Sequence, residues 1–409
     1  MNSPRRITYV ASENLAKTCS LLPSNRNRST FVHALVTAFG LLRPPSNGAP
    51  YVVTLLRPPP ASPSDLTAYH DRSYVDALLA DPPGPDSASC REFGLEDDCP
   101  PFPGLREYAL GVAGASMVAA QELAGDRCDI AICWDGGRHH AHKSLASGFC
   151  YVNDCVLALL VLKRASPVPP LLSNQGNIRK KSRVMYLDLD VHYGDGVAAA
   201  FRGAGARGQV LTLSIHNAGQ GLFPASEHSA LPNISSAAFD PFALSLPLHT
   251  GASCATFARV WRTVGRVLEI FAPDYIVMQC GVDGLAQDPV GAWNWTLGGE
   301  GGLAWFVRRV FDFSAKVLLL GGGGYSLVNA ARAWALLTSV ACGVPLALDT
   351  PIPHHAGFPM YAPSFTLDVP PSRMCDENTD DYLKKVDATF ERVAEILRTQ
   401  LALHSSDSV

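Results

Sequence analysis

Short apolar segments rich in β-branched residues recur along the chain and alternate with longer segments whose apolar residues have helical spacing. Most of the short segments are continuously apolar, which is typical of strands buried on both faces of a parallel sheet. The alternation predicts an α/β protein built from βαβ units around one parallel sheet. The predicted strands are Tyr51–Leu56, Ile130–Trp134, Val184–Asp188, Val210–Ile215, Tyr275–Gln279 and Val317–Leu320. The predicted helices are Arg106–Ala124, Tyr151–Arg164, Cys254–Phe271, Gly301–Ser314 and Leu327–Ala341, with a further helix start at Ser62–Asp65.

Three long loops interrupt the alternation. Asp81–Gly104 and Asp349–Pro371 are rich in proline, and Ser166–Arg183 combines prolines with the basic residues Arg179, Lys180, Lys181 and Arg183. Loops of this length in a compact domain are often functional or disordered. The basic cluster has two interpretations, a nuclear-localisation signal or a solvated insertion, and the second is the commoner fate of short charge runs.

Composition narrows the function classes. The 409 residues are 47% hydrophobic and 17% charged, which excludes a mainly disordered or fibrous chain. A formal net charge of -4 disfavours nucleic-acid binding through backbone neutralisation, and we expect no membrane span because no apolar stretch is long enough. The eleven cysteines include no CxxC pair, so we expect buried free thiols in a reducing compartment.

Five of the predicted strands end in or lead into a short segment that contains histidine, aspartate, serine or tyrosine. Because ligands bind at the carboxyl ends of strands in open α/β sheets, these side chains should meet at one edge. One polar residue after a strand is ordinary, but five such ends are difficult to explain by structure alone. The segments are Asp135–His140, Asp188–Gly196, Ser214–His216, Cys280–Asp283 and Gly321–Tyr325.

The Asp188–Gly196 segment contains a candidate metal site. Asp190 and His192 are two residues apart in an extended segment, so their side chains point the same way. With Asp283 from another strand end they supply three ligands and leave a position for water, as in catalytic zinc sites. Taken alone, one Asp-x-His is more often a pair of satisfied surface groups.

The adjacent histidines His139 and His140 follow a Gly-Gly turn at a strand end. Each needs a partner for its second ring nitrogen, and Asp188 and Asp195 are the acids nearby. This divides the carboxylates by role, with Asp190 and Asp283 on the metal and Asp188 and Asp195 behind the imidazoles.

The glycine run Gly321–Gly324 suggests phosphate binding at first sight, since it lies between a strand and a helix. It matches neither the P-loop nor the dinucleotide fingerprint. A second use for the glycines is a tight bend that projects Tyr325 into the site, where a phenol can donate to an oxyanion.

Four motifs, Trp134–Ala141, Ala146–Asp154, Asp188–Gly196 and Gly321–Tyr325, together resemble the zinc-dependent histone deacetylases. The similarity runs from about Thr8 to Ala341 and looks like the class I branch. It implies an arginase/deacetylase α/β fold, with a central eight-stranded parallel sheet flanked by helices, one catalytic Zn²⁺ and hydrolysis of acetyl-lysine in histones or other nuclear proteins. We therefore expect one catalytic domain over residues 1–409, with a core at about 8–341, a loop insertion at 166–183 and a C-terminal segment, 342–409, packed on it.

The resemblance also implies a role for individual residues. Asp190, His192 and Asp283 match the zinc ligands, and Tyr325 matches the phenol that polarises the carbonyl. The tandem catalytic imidazoles are His139 and His140, with Asp188 and Asp195 as their partners. The acyl-lysine tunnel and its rim match Phe149, Phe223, Gly148 and Asp98, and Arg28 matches an internal arginine near the pocket floor. A structural K⁺ or Na⁺ would be held by Asp188, the carbonyls of Asp190 and His192, Ser214 and Ile215.

Some positions depart from the family pattern. Tyr193 stands where a second histidine is common, Leu145 where an acid is common and Gly284 where serine or threonine is common. Pro289 stands where corepressor-bound class I members usually have an arginine that touches an inositol phosphate. In having a proline at this position, the chain is similar to the class I isozyme that works alone. The insertion and the short tail after Tyr382 also differ from the long-tailed members. These features argue against stable membership of a corepressor complex.

Two alternatives stay open, one on the same fold and one from another functional class. One is an acetylpolyamine deacetylase, an arginase-like enzyme or another amidohydrolase on the same fold, and a metal count per chain separates an arginase from a deacetylase. The other is a non-catalytic scaffold that binds acyl-lysine, which would be expected to lack a metal ligand or Tyr325. The expected partners are acetylated proteins or peptides, and the expected location is the nucleus and cytoplasm.

Overall fold

A computed structural model describes residues 4–43, 49–80, 88–165, 181–203, 208–219 and 221–406. The eight strands are β1 (Arg5–Val10), β2 (Tyr51–Leu56), β3 (Ile130–Cys133), β4 (Val184–Asp188), β5 (Val210–Asn217), β6 (Ala243–Leu248), β7 (Tyr275–Gln279) and β8 (Lys316–Leu320). The helices are α1 (Glu13–Cys19), α2 (Arg28–Ala38), α3 (Pro63–Leu66), α4 (Arg72–Leu78), α5 (Ala88–Glu92), α6 (Leu105–Ala124), α7 (Asp154–Arg164), α8 (Asp195–Phe201), α9 (Cys254–Phe271), α10 (Leu303–Val310), α11 (Leu327–Ala341) and α12 (Asp380–Ser406).

The strands form one sheet in the order β2-β1-β3-β8-β7-β4-β5-β6, and every neighbouring pair is parallel. The predicted α/β class and the eight-stranded parallel sheet are confirmed. Helices cover both faces, because successive strand residues point to opposite sides. In β3, for example, Ile130 and Ile132 join the core beneath α2, α9, α10 and α11, whereas Ala131 and Cys133 join the core beneath α6 and α7.

All six predicted strands exist, but the prediction for β2 was wrong in one respect. The strand lies at the sheet edge with a single neighbour, and Val52 and Leu55 are 44% and 53% exposed rather than buried. Apolar residues in a run do not reveal whether a strand has one neighbour or two. The pattern also missed β1, which opens with Arg5 and Arg6, and β6, which contains Pro247.

Five contiguous central strands, β3-β8-β7-β4-β5, carry the five polar segments on their carboxyl ends. The chain therefore brings together residues that lie between 135 and 325 in the sequence. Such a convergence at the carboxyl ends of parallel strands is where α/β sheets bind ligands.

The cysteines, the long helices and the C-terminal segment bear on other expectations from the sequence. Nine of the eleven cysteines are buried. No helix in the described part of the chain is long and apolar enough to cross a membrane. The greater part of the basic insertion, residues 166–180, lies outside the described residues. In the C-terminal segment, α12 packs against α9 and buries Val386, Val393 and Leu397 completely.

Candidate active site

The three predicted metal ligands meet at the ends of β4 and β7. One potential ligand atom from each of Asp190, His192 and Asp283 lies within 4.8 Å of the others. Nδ1 of His192 is 3.1 Å from Oδ1 of Asp190 and 3.0 Å from Oδ2 of Asp283. Both carboxylates are buried, and His192 retains 14% side-chain exposure. The triad is thus buried at its two carboxylates and reachable from solvent at His192.

The close approach of two buried carboxylates and an imidazole raises the pKa values of Asp283 and His192. Burial and the neighbouring charge of Asp190 raise the pKa of Asp283 to about 7. Burial opposes a charge on His192, yet its hydrogen bonds to Asp190 and Asp283 raise its pKa to about 10. A cation at this point would satisfy both carboxylates and leave the imidazole free to act as a neutral ligand.

Surrounding backbone and amide groups orient the two carboxylates. The second oxygen of Asp190 accepts from the side-chain nitrogen of Gln279 at 2.8 Å and from the Gly323 amide at 2.7 Å. Asp283 accepts from the amide of Val191 at 3.0 Å. Since these donors sit on neighbouring strand ends, the sheet itself fixes the ligand geometry.

The tandem histidines form two parallel Asp–His pairs beside the triad. Nδ1 of His139 lies 2.8 Å from Asp188, and Nδ1 of His140 lies 2.8 Å from Asp195. The two ring centroids are 3.9 Å apart, so protonation of one ring disfavours protonation of the other. The arrangement predicted from sequence, with Asp188 and Asp195 behind the imidazoles, is the one that the structure contains.

The two imidazoles have opposite pKa shifts. Burial lowers the pKa of His139, but the charges of Asp188 and Asp190 outweigh this and raise it to about 9. Burial and the charge of His139 lower the pKa of His140 to about 4, against the pull of Asp195. The pair therefore consists of one imidazole that holds a proton and one that remains neutral.

The turn that carries the histidines depends on a residue to which the sequence analysis gave no role. The buried carboxylate of Asp154 accepts from the amide of Gly137 at 2.9 Å and from that of Arg138 at 2.7 Å. Asn153, which caps α7, donates to the carbonyl of Ala141 at 2.8 Å. The Ala146–Asp154 motif contained both residues, but only the fold shows that they hold the turn.

Tyr325 lies beside the tunnel residues at the start of α11. Its ring centroid is 5.8 Å from that of Phe149, and its amide donates to the carboxylate of Asp288 at 2.8 Å. Burial and the charges of Asp283 and Asp190 raise the pKa of its phenol well above the ordinary value. The hydroxyl therefore remains a hydrogen-bond donor at physiological pH.

Two of the predicted tunnel residues, Phe223 and Gly148, lie against His140. The Phe223 ring lies 4.9 Å from that of His140 and is 41% exposed. Gly148 has a positive φ of 54°, and a Cβ there would collide with the rings of His140 and Phe223. Its amide donates to Asp98 at 2.8 Å, so these two predicted substrate-binding residues are in contact.

Two further predicted groups lie behind the site. Arg28 is buried, donates to the carbonyl of Gly324 at 2.8 Å and stacks over the ring of Trp334. Ser214 pairs in register with Asp188 across β4 and β5, and Ile215 follows it. The proposed monovalent-cation residues are therefore neighbours, on the side of Asp188 away from β7.

The structure also explains some departures from the family pattern. Gly284 packs under the ring of Trp293, and a side chain at position 284 would collide with it. Tyr193 is buried against the ring of His216. Leu145 and Pro289 are exposed, so their substitution changes surface chemistry.

The comparisons with known proteins agree with this geometry. A family model described as "Histone deacetylase domain" matches residues 22–341. "Histone deacetylase 8" of Danio rerio is 35% identical over 95% of this chain and 94% of its own length. "Histone deacetylase 1" of Homo sapiens is 34% identical over 92% of this chain and 71% of its own length. "Histone deacetylase 19" of Arabidopsis thaliana is 35% identical over 89% of this chain and 67% of its own length. The matched region includes all five strands that carry the polar segments.

Proposed function

Because the chain belongs to the histone deacetylase family and is a hydrolytic protein lysine deacetylase, we propose that Asp190, His192 and Asp283 hold its catalytic Zn²⁺. The observation that carries this proposal is the meeting of the triad with two Asp–His pairs at one sheet edge. Two carboxylates and one imidazole suit a catalytic zinc site, in which a fourth position is kept for water or substrate. The raised pKa of Asp283 supports a cation at this point.

When bound, the zinc ion supplies Lewis-acid polarisation of the acetyl carbonyl and lowers the pKa of a water molecule towards about 7. His140 has its Nδ1 held by Asp195, so its Nε2 accepts the proton of the attacking water. Its lowered pKa keeps it neutral for this role. Tyr325 donates to the carbonyl oxygen as that atom gains negative charge.

The leaving lysine amine then needs a proton. A protonated imidazole supplies it, either His140 itself or His140 with help from His139, whose raised pKa keeps a proton nearby. Phe149 and Phe223 line the path to the histidines and accept a neutral acyl-lysine stem better than a charged one, because burying an ammonium is costly. Asp98 would hold the substrate backbone, a role supported by its exposure and by its contact with Gly148.

We also propose a structural K⁺ or Na⁺ beside Asp188, bound by its carboxylate, the carbonyls of Asp190 and His192, Ser214 and Ile215. The support is that Asp188 and Ser214 are direct register partners in the sheet. A cation here would offset the negative charge of Asp188, whose pKa burial raises above its usual range.

The substrates that we propose are acetylated histones and other nuclear proteins, with the chain in the nucleus and cytoplasm as a transcriptional repressor. The exposed Pro289 supports activity outside a stable corepressor complex. We further propose that residues 1–409 form one catalytic domain, since α12 of the C-terminal segment packs on α9 of the core.

The alternatives are less well supported. An arginase-like enzyme needs a second divalent metal, but Asp188 and Asp195 are each engaged by an imidazole. The described residues contain one cluster of three His, Cys, Asp or Glu side chains close enough to share a metal ion. An inactive scaffold is disfavoured because the triad, both Asp–His pairs and Tyr325 are all present.

The test is deacetylation of acetyl-lysine histone peptides by the purified chain, with and without chelator. We expect about one zinc per chain and loss of activity on zinc removal that zinc restores. Asp190→Asn and His192→Ala should lose both bound zinc and activity, because three ligands cannot spare one. His354→Gln is the matched control, because His354 is an exposed histidine that is not one of the proposed site residues. Full zinc content and full activity in both ligand variants would refute the proposal.

A further inference from the structure

The carboxylate of Asp195 contacts two imidazoles rather than one. Its Oδ1 lies 2.8 Å from Nδ1 of His140, and its Oδ2 lies 3.1 Å from Nε2 of His142. The side chain of His142 is 34% exposed, whereas that of His140 is buried. The proposed general base is therefore connected to the solvent through Asp195 and a second titratable ring.

The other Asp–His pair lacks this connection. Asp188 receives the hydroxyl of Tyr186 at 2.8 Å in addition to His139. Burial raises the pKa of Tyr186 well above its ordinary value, so this partner is a neutral donor at physiological pH. The second imidazole partner of Asp195, His142, can gain a charge, whereas Tyr186, the second side-chain partner of Asp188, cannot.

A braced turn holds His142 in place. Its amide donates to the carbonyl of Leu145 at 2.9 Å, which closes the turn. The carbonyl of Lys143 accepts from the amide of Asp71 at 3.0 Å, and Nζ of Lys143 lies 3.0 Å from the Asp71 carboxylate. These contacts tie the turn to the start of α4, so the short distance between His142 and Asp195 is built into the backbone.

Asp195 is the charged group that acts on His142. The hydrogen bond to Asp195 raises the pKa of His142 above its ordinary value, although burial opposes this. Burial lowers the pKa of His70 to about 4 and keeps it neutral, and the charge of Lys143 is paired with Asp71. Tyr69, whose hydroxyl lies 3.5 Å from the carbonyl of Gly196 next to Asp195, is neutral because burial raises its pKa to about 12.

We propose that His142 is a positioning residue for deacetylation that acts on His140 through Asp195; this rests on the general-base role proposed above. A neutral His142 donates to Oδ2 and holds the carboxylate so that Oδ1 stays on His140. A protonated His142 also takes up part of the negative charge of Asp195, so His140 binds a proton less tightly. Loss of the His142 proton with rising pH makes His140 a stronger base.

Three substitutions separate the hydrogen bond that His142 donates to Asp195 from the positive charge of a protonated His142. His142→Gln keeps a donor without a charge, His142→Lys keeps a charge, and His142→Ala removes both. In His142→Gln and His142→Ala, the acid limb of kcat/KM should move to higher pH by about 0.5–1 unit, because Asp195 then acts on His140 with its full charge. In His142→Lys the limb should stay at its wild-type position. His142→Ala should also lower kcat about fivefold, the equivalent of one net hydrogen bond.

The measurement is the pH profile of kcat and KM on an acetyl-lysine peptide, with zinc content and melting temperature of each zinc-loaded variant. Imidazole NMR of His142 in the same protein follows its titration directly. KM, zinc content and melting temperature should stay near wild type, which a merely structural role would not predict. His354→Gln controls for loss of an exposed histidine.

Identical acid limbs in wild type, His142→Gln and His142→Lys would overturn the inference. So would an NMR titration of His142 that Asp195→Asn leaves unchanged. The proposed function is tested separately by His140→Ala. If His140→Ala is inactive while the limb does not move in His142→Gln, only the inference fails; if His140→Ala is active, the general-base assignment fails.

Discussion

At the scale of single residues, the contacts that position Tyr325 do not involve its hydroxyl. Its backbone amide is held by Asp288, and its ring packs near Phe149, so neither contact uses the hydroxyl. The hydroxyl keeps its proton because burial and nearby carboxylates raise its pKa. The side chain can therefore lose its donor without losing its position.

Tyr325→Phe should lower kcat by about 10²–10³, the usual cost of one oxyanion donor. Peptide affinity should change by less than about threefold, because an interaction made mainly in the transition state contributes little to ground-state binding. Tyr382→Phe, which removes a hydroxyl bonded to the carbonyl of Pro247, should leave kcat unchanged. Measurement of kcat, peptide affinity and melting temperature on both variants tests whether the Tyr325 hydroxyl acts in the transition state. A near-normal kcat for Tyr325→Phe would remove Tyr325 from the mechanism.

At the scale of an element, the backbone between β8 and α11 passes directly beside the proposed metal ligands. Gly322 and Gly324 have φ angles of 154° and 130°, which favour glycine. At Gly323 the constraint is space, since a Cβ there would collide with the carboxylates of Asp283 and Asp190. The glycine run allows the chain to pass next to the ligands while its amide binds Asp190.

Gly323→Ala should displace the ligand carboxylates and lower both zinc affinity and activity by at least about tenfold. Gly265→Ala is the matched control, because its Cβ would make an ordinary 3.7 Å contact with Trp261 inside α9. The control should retain its zinc and gain slight stability from helix propensity. Zinc titration and deacetylase assays on the two variants provide the measurement. Equal zinc affinities would contradict the close-packing argument.

At the scale of the whole molecule, the C-terminal helix α12 is fastened to α9 by both apolar and charged contacts. Leu397 and Val393 are fully buried, and Asp387 pairs with Arg259 at 2.6 Å and bonds Thr263 at 3.2 Å. Burial of these side chains couples α12 to a helix that itself packs on the sheet. The C-terminal segment should therefore unfold together with the core.

Leu397→Ala should lower the free energy of unfolding by about 2–5 kcal/mol, the range for a fully buried leucine. Glu395→Ala, on the exposed side of the same helix, should change it by less than about 0.5 kcal/mol. Urea unfolding followed by fluorescence should show one transition in wild type and both variants. A separate early transition for the C-terminal segment would contradict a single domain.

The isolated chain should deacetylate peptides without a corepressor fragment or an inositol phosphate. The reason is the exposed Pro289, which has no charge to offer a phosphate. Addition of both components to the pure protein should change kcat/KM by less than about twofold. An inert protein that these components activate would show the expectation to be wrong.

The sequence by itself determined the fold class, six of the eight strands and the polar segments that follow five of them. It could do so because strand burial and strand ends leave local patterns in residue type. The sequence pattern did not reveal the exposed edge position of β2, or the strand β6 with its internal Pro247, since both depend on neighbours in the sheet.

Some partners of the proposed catalytic groups were decided only by the tertiary structure. The sequence predicted Asp195 behind one of the adjacent histidines, but it did not predict the contact of Asp195 with His142 or that of Asp288 with the distant amide of Tyr325. A hydrogen bond between such residues depends on distances of a few tenths of an ångström, which the order of strands and the path of the connecting turns set. Local sequence specifies which groups reach the edge of the sheet, and packing specifies which of them touch.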